Sequence, residues 1–345
     1  MTDTQRPGVF SSYEVTSTIS GSGRGGAVGI VAQVPEGSEA HIRKIDSYAS
    51  AVSAFGAECS LTKLVKVLLL NGASSIVASP VEAETGISDY SEAFERLKAD
   101  ETVRLIMCDS HSAEVHAAMK QSILSAPEMS KYCIGIVETD LETVAGMATA
   151  SAALNCERMV LVPSENSSGT GGAVAAAFAG IISAGQDPAL PFNGAELIGL
   201  SEFERSFSNA EITWLVEGGV TPVENSMGSV YVVRGITTRS ISEGVFDVTW
   251  RELTTVLILD DVISAIRGSL RSKFSRTKNT AQTRGAIRTQ VLIELENKKI
   301  REIIDDYGDV VVEASPSDPT VCDVSFEFAV AHGLNQIRLM AHITV

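Results

Sequence analysis

Two glycine-rich stretches have the residue types of a phosphate-binding loop. Gly21, Gly23 and Gly26 have GxGxxG spacing, but a dinucleotide site needs a helix directly after the glycines. The segment that follows here, 27–34, has the apolar pattern of a strand. The second stretch, SSGTGG at 167–172, lies between a predicted strand and a predicted helix, so its backbone amides could hold an anion. It has no lysine at the Walker position, and we favour a plain strand-to-helix turn.

A second group of candidate residues follows a predicted buried strand. Cys108, Asp109 and His111 lie close together, and His116 comes five positions after His111. Two histidines on one helical face need a spacing of three or four residues, so a polar loop is preferred over a metal or catalytic site. The sequence has no GxSxG, HExxH or EF-hand motif. We therefore expect no enzyme activity, no cofactor and no metal.

The composition argues against several further classes of function. The chain has 345 residues, enough for two domains, and carries 43 acidic against 27 basic residues, a net charge of −16. Such an acidic chain is a poor candidate for direct contact with nucleic acid. No apolar run is long enough for membrane insertion, and the N-terminus has no apolar signal-peptide core, so we expect no Sec export. The five scattered cysteines are expected to be reduced.

The elements predicted along the chain fall into two parts. Between about 45 and 200, short apolar strands alternate with helices, which favours an α/β domain with a mostly parallel sheet covered on both faces. After about 207 come strands at 220–223 and 229–237. Thr249 and Glu252 form a predicted capping box that opens a helix to about 274. A second helix at 280–299 and strands near 310–313, 323–330 and 336–345 complete an α+β C-terminal domain.

Both ends of the chain alternate apolar and polar residues as a strand does. A terminal strand this regular is expected to be paired. It either closes the protein's own sheet or adds to the sheet of a neighbour.

Basic residues are concentrated between 262 and 293, where there is no acidic residue. Such a run is usually a solvated helix face. On this acidic chain it could equally be the contact surface for an acidic partner. The basic residues are Arg267, Arg271, Lys273, Arg276, Lys278, Arg284 and Arg288.

Several segments, in this order and spacing, resemble the contractile tail sheath proteins of myophages and phage-tail-like bacteriocins, particularly the short sheaths of Gram-positive systems. The segments are PGVF at 7–10, GIVAQVPEG at 29–37, AVSAFG at 51–56, VLLLNGASSIVAS at 67–79, the passage 175–199 that ends in AELIG, and the passage 212–238. Each motif alone is loose, but together they cover nearly the whole chain. Large phage sheaths carry extra outer domains, for which this chain has no room.

The resemblance implies a structural subunit that polymerises helically around an inner tube by β-strand exchange and contracts to drive the tube through a cell envelope. It divides the chain into an N-terminal exchange arm at 1–20, an α/β sheath domain at 21–240, and a tube-facing domain at 241–345 with the exchange strand 336–345. The implied exchange residues are Val9, Tyr13, Val15, Ile19, Phe326, Phe328, Ile337, Leu339, Ile343 and Val345. The seven basic residues become candidates for the tube-facing surface.

The implied partners are further copies of the chain, an inner tail tube protein, the baseplate and a tail terminator. The implied location is a virion or phage-tail-like particle assembled in the host bacterial cytoplasm. Two alternatives remain. One is an α/β enzyme or small-molecule binder that uses the turn at 167–172. The other is a different self-assembling shell or tubular protein.

Overall fold

The computed structural model of the chain describes residues 26–35, 41–82, 86–125, 132–165, 171–200, 203–242 and 245–341. Its largest sheet has six strands in the order β2-β3-β1-β4-β5-β6. They are β1 (Ala27–Val34), β2 (Arg43–Ile45), β3 (Ile76–Glu82), β4 (Val103–Cys108), β5 (Ile134–Thr139) and β6 (Met159–Pro163). All pairs are parallel except β2 with β3, which confirms the predicted mostly parallel sheet.

Helices cover both faces of this sheet. They are α1 (Tyr48–Phe55), α2 (Ser60–Leu70), α3 (Ile87–Ala99), α4 (Ala113–Leu124), α5 (Val144–Leu154), α6 (Ala173–Ala184) and α7 (Asn209–Glu217). The helices α1, α2 and α6 bury their apolar residues in a first core on one face, and α3, α4, α5 and α7 build a second core on the other. On α2, Leu61, Leu64, Val65 and Leu68 are buried at helical spacing. Strands β5 and β6 are therefore buried at every position.

Two smaller sheets follow. Strands β7 (Ala195–Leu197), β8 (Val223–Ser226) and β9 (Ser229–Val232) pair in the order β7-β9-β8, and β10 (Ile241–Ser242) pairs with β11 (Val245–Phe246). The strands predicted at 220–223 and 229–237 are only partly formed, because β8 begins at Val223 and β9 ends at Val232. The backbone amides of Thr237 and Thr238 bond instead to Arg251 and Met159 carbonyls, at 2.8 and 2.7 Å, so the chain has already left the sheet.

The C-terminal part consists of two long helices and an antiparallel ribbon. Its elements are α8 (Leu253–Phe274), α9 (Ala281–Ile300), β12 (Ile304–Tyr307), β13 (Val311–Ala314), β14 (Cys322–Ser325) and β15 (Phe328–Val330). Helix α8 joins it to the α/β domain, because Leu253 and Val256 lie in the first core while Val262 and Ile266 lie in a third core with α9. None of the helices in the described ranges has the length and hydrophobicity of a membrane span.

The start of α8 differs from the prediction. The helix begins at Leu253 without a side-chain cap, so the capping box at Thr249 and Glu252 is wrong. The Asp247 carboxylate accepts hydrogen bonds from the backbone amides of Thr249 and Trp250, at 3.0 and 3.1 Å. The Glu252 carboxylate pairs with the Arg234 guanidinium. The Thr249 amide and the Glu252 carboxylate, which would bond to each other in a capping box, therefore have other partners.

The last strands also differ from the prediction. The predicted strand 323–330 is split into β14 and β15, which pair with β13 and β12, respectively. Residues 331–341 form neither helix nor strand, and 342–345 lie outside the described residues. The predicted strand at 336–345 is thus not formed over its described part.

Candidate assembly interface

The C-terminal ribbon is covered on one face and open along its edges. Residues Val324, Phe326, Phe328 and Val330 alternate with exposed neighbours and pack against the third core. The pairs β12–β15 and β13–β14 join where the Gly308 amide donates to the Glu327 carbonyl at 3.0 Å. Within the ranges given above, no further strand pairs with either edge. The edges can therefore accept additional strands.

An apolar groove of about 390 Å³ lies between α8 and β14. Its α8 side consists of the apolar residues Ile263, Ile266 and Leu270 together with Arg267 and Arg271, and its ribbon side consists of Val324 and Phe326. A strand added beside β14 would place alternate side chains over this groove. The groove and the open edge together offer a new strand both backbone partners and an apolar surface.

The C-terminal segment has the complementary properties. Ile337, Leu339 and Met340 are 72%, 94% and 83% exposed. Exposed large apolar side chains in sequence are characteristic of interaction segments. Among the residues named for strand exchange, Ile343, Val345 and the four N-terminal ones, Val9, Tyr13, Val15 and Ile19, lie outside the described residues. Phe326 and Phe328 lie on the ribbon, with ring centroids 6.3 Å apart.

The basic residues surround the end of the α8–α9 hairpin. Three of them have neutral partners within the chain: Lys273 donates to the Gln290 side chain at 2.5 Å, Arg284 to the Asn279 side chain at 2.9 Å, and Arg288 to the Val310 carbonyl at 2.8 Å. Arg271, Arg276 and Lys278 are exposed. In the part of the chain that the structure describes, no carboxylate lies within ion-pair distance of these three. The hairpin end is therefore a positive surface on an acidic protein.

Arg267 points instead to the junction between the two domains. Its guanidinium lies 5.5 Å from the ring centroid of Tyr132, and the Arg158 guanidinium lies 4.7 Å from the same centroid. Arg158 also forms a bidentate ion pair with Asp260 of α8, at 2.7 and 2.9 Å. These contacts, the junction cluster, tie α8 to the α/β domain. Arg267 is thus a member of the basic run that contacts the other domain.

The carboxyl edge of the main sheet contains the residues that the sequence singled out for chemistry. The turn at 167–172 is described only at Gly171 and Gly172. The N-terminus of α6 after it is occupied by the chain itself, because the Glu138 carboxylate accepts from the amides of Val174 and Ala175 at 2.8 and 3.3 Å. Glu138 is 2% exposed. The protein's own carboxylate thus takes the place that an anionic ligand would need.

His111 and Asp109 have separate partners at the same edge of the sheet. His111 Nε2 lies 3.2 Å from Glu138 Oε1, and this hydrogen bond raises the pKa of His111 above its ordinary value. Asp109 accepts from the Gln33 amide and the Tyr90 hydroxyl, both at 2.7 Å. Burial raises the pKa of Asp109. Because Gln33 and Asp109 belong to the ends of β1 and β4, they close the crevice where doubly wound sheets usually bind ligands.

The remaining candidates have structural surroundings. His116 Nε2 lies 2.7 Å from the Ser110 carbonyl, and burial lowers the pKa of His116 to about 4. Burial raises the pKa of the Cys108 thiol. Among the described residues, no group of three or more histidine, cysteine, aspartate or glutamate side chains is arranged to hold a metal. All five cysteines are free thiols.

Sequence reasoning missed the residues that join distant parts of the chain. Glu138 had no local signal, since the helix that it caps lies 36 residues later. Arg158 and Asp260 are 102 residues apart in the sequence. Contacts of this kind leave no periodic pattern, and only the fold brings the residues together.

Comparison with known proteins identifies two matched regions. A family model described as the phage tail sheath protein central domain matches residues 83–238. A second, described as the phage tail sheath C-terminal domain, matches residues 247–344. Together they cover most of the chain, and the gap between them, 239–246, contains β10 and β11. The comparison with curated proteins gave no match.

Solved structures with the same fold cover nearly the whole chain. The helical sheath of the anti-feeding prophage in its contracted state matches at 13% identity and a TM-score of 0.67, over 99% of both chains. A chain of the anti-feeding prophage baseplate matches at 12% identity and a TM-score of 0.72, over 99% of this chain and 100% of that one. The sheath tail protein from Desulfitobacterium hafniense matches at 12% identity and a TM-score of 0.69, over 94% and 100%. With both family models matched in order, the chain belongs to the contractile tail sheath proteins.

Proposed function

We propose that this chain is the subunit of a contractile sheath, which polymerises helically around an inner tube by β-strand exchange and contracts to drive the tube through a cell envelope. One observation carries the proposal: the ribbon β12–β15 has open edges and an adjacent apolar groove, while the segment 336–341 is apolar, exposed and unpaired. Family membership supports it. The donor and the acceptor of an exchanged strand are present on one chain.

The donor segment is assigned to a second copy of the chain. Ile337 and Leu339 would cover the groove beside β14, and Arg338 and Met340 would face away from it. Each backbone hydrogen bond of the added strand contributes about 0.5–1.5 kcal/mol, and apolar burial adds about 25 cal/mol per Å². Such a linkage can persist while weaker charged contacts between subunits change. Contraction is then a rearrangement between two packings of linked subunits, without nucleotide or metal.

The N-terminal arm, 1–20, is proposed to add to the same sheet of another neighbour. Its residues lie outside the described part of the chain, so the proposal rests on the alternation of Tyr13, Val15 and Ile19 in the sequence. A ribbon with two open edges has room for one arm on each side. Two arms per subunit would link the copies into a continuous mesh.

The basic hairpin end is proposed to face the inner tube. Arg271, Arg276 and Lys278 are exposed there, and a surface of this sign fits an acidic partner. The baseplate and a tail terminator would be the partners at the two ends of the sheath. A virion or phage-tail-like particle, assembled in the host bacterial cytoplasm, is the corresponding location.

The test is electron microscopy and sedimentation of the purified chain, with two matched variants. Leu339→Asp places a charge on the face that covers the groove, and Met340→Asp places the same charge on the opposite face. Both positions are exposed in the single chain, so neither variant should change the melting temperature of the monomer. We expect hollow tubes from the parent chain and Met340→Asp, and none from Leu339→Asp or from a chain without 336–345. Equal assembly by both aspartate variants would contradict the strand-exchange proposal.

A separate test addresses the tube. Reversing the charge of Arg276 and Lys278 to glutamate should leave empty sheaths intact but lower the retention of the inner tube in co-assembled particles. The control reverses Lys63 and Lys66, which are exposed on α2. If both pairs lower retention equally, net charge is the cause and the hairpin end is not the contact.

The enzyme or small-molecule alternative is not favoured. The N-terminus of α6 and the crevice between β1 and β4 are filled by Glu138 and Asp109. A saturable shift of the melting temperature by phosphate or nucleotides, lost in Gly171→Ala, would favour it over the sheath subunit.

A further inference from the structure

Three contacts guide the chain after the last strand. The Ala331 amide donates to the Ile303 carbonyl at 3.4 Å. Gly333 then lies against Pro191, where a Cβ on the glycine would be 2.9 Å from the proline Cβ. Finally the Asn193 amide group donates to the Asn335 side-chain oxygen at 2.8 Å. Within the described residues, no hydrogen bond or ion pair holds 336–341, so the chain leaves the protein surface at Asn335.

The turn at 191–194, which we call the anchor turn, belongs to the α/β domain and is held there by two contacts. The Phe192 ring packs edge-on against Phe178 of α6, with centroids 5.2 Å apart. The Gly194 amide donates to the Val232 carbonyl at 2.8 Å, and Gly194 has φ of 75°, a conformation that glycine adopts without strain. Asn193 therefore lies on a turn whose position is fixed by packing and by a backbone hydrogen bond. The tail crosses from the C-terminal domain to the other domain before it departs.

The same turn lies near the entry into β1. Gly26, Pro191 and Phe192 line a cavity of about 310 Å³ between α6 and α8. Gly26 directly precedes β1, and a Cβ on it would lie 2.7 Å from the Thr102 carbonyl oxygen. The points next to both sequence-predicted arms are thus on one side of the subunit, beside the anchor turn.

We propose that the anchor turn aims the C-terminal exchange strand at the neighbouring copy, with Asn193 and Asn335 as positioning residues. This inference rests on the proposed function. A strand tethered at a fixed exit point samples fewer orientations than a tail that is free from Ala331 onward, so less entropy is lost when it pairs. Because Asn335 is exposed and Asn193 is only half-buried, their hydrogen bond adds little to the stability of the monomer. Its effect is expected in assembly.

A charge-based double-mutant cycle isolates the contact. Asn193→Asp and Asn335→Asp each leave one amide that can donate to the new carboxylate, so each single variant retains the hydrogen bond. The double variant Asn193→Asp with Asn335→Asp has two acceptors and two like charges. The matched control combines Asn193→Asp with Asn209→Asp, which carries the same net charge and changes an exposed residue of α7.

The first measurement is the concentration at which tubes form. We expect the single variants and the control to match the parent chain. The double variant should need a roughly fivefold higher concentration, the ratio expected for two carboxylates about 4 Å apart in water. Equal thresholds for the double variant and the control would overturn the proposal. A parent chain that forms no tubes would instead count against the proposed self-assembly.

The second measurement tests whether the contact between Asn193 and Asn335 holds the tail in the monomer, and its result does not depend on assembly. A spin label is placed at Leu334→Cys, between Gly333 and Asn335, in a Cys322→Ser background. Leu334 is 70% exposed, so the label can be attached without disturbing the core. We expect a restricted label in the parent and the control, and a mobile label in the double variant. Equal mobility in all three would overturn the anchor, even if tubes form.

Discussion

The ion pair between Arg158 and Asp260 should be a main energetic link between the two domains. The side chains are only 12% and 20% exposed, and two hydrogen bonds of 2.7 and 2.9 Å join them. Removing one partner of a fully buried pair costs about 3–5 kcal/mol. Since some water reaches this pair, we expect Arg158→Met or Asp260→Asn to lower the free energy of unfolding by about 2–3 kcal/mol. Hydrogen bonds between charged groups predict a coupling energy of about 1.5 kcal/mol.

The assay is urea unfolding of the monomer, followed by circular dichroism, for both single variants and the double variant. The matched control is the exposed pair Lys63 and Glu58, whose side chains are 54% and 93% exposed at a distance of 3.3 Å. Its cycle with Lys63→Met and Glu58→Gln should give a coupling below about 0.5 kcal/mol. A coupling for Arg158 and Asp260 as small as that of the control would refute the reasoning that the junction cluster joins the domains.

Three further predictions concern the α/β domain and the thiols. The hydrogen bond with Glu138 raises the pKa of His111, so its stabilising effect is full below the ordinary pKa of 6.5 and is lost as the pH rises through the raised value. The unfolding free energy of the parent should accordingly fall toward that of His111→Gln, and a constant difference across pH would contradict this. Gly180→Ala should destabilise the protein by about 1–3 kcal/mol, because a Cβ there would lie 2.8 Å from the Leu68 carbonyl oxygen. Gly268→Ala has open space around it and should stabilise α8 by about 0.5–1 kcal/mol. Equal melting temperatures for the two variants would contradict this prediction. A thiol reagent should modify Cys322 in the native protein and leave the four buried cysteines intact, so more than one fast-reacting thiol would disprove that burial.

The parallel sheet was predictable because its signals are local. Segments such as Ala27–Val34 are apolar except at Gln33, and Leu61 and Leu68 repeat at helical spacing. The order of the strands was not predictable, since pairing of β1 with β4 joins segments separated by helices and by two other strands. Local patterns specify an element, and only packing specifies its neighbours.

The C-terminal segment shows a different limit. The alternation at Ile337 and Leu339 predicts a strand, yet the single chain leaves this segment unpaired. A strand needs a hydrogen-bonding partner, and the pattern does not say which molecule supplies it. The capping-box motif is present at Thr249 and Glu252, but Asp247 binds the Thr249 amide and Arg234 binds the Glu252 carboxylate. Competing side-chain partners of this kind are not visible from spacing alone.

Helix α8 has a mechanical consequence. It begins in the core of one domain and continues into the core of the other without interruption over 22 residues, a length of about 33 Å. A tilt of the helix by about 10° would displace its far end by about 6 Å at this length. The subunit therefore has a built-in lever, and force applied at the hairpin end is transmitted to the sheet as torque rather than absorbed by a flexible linker.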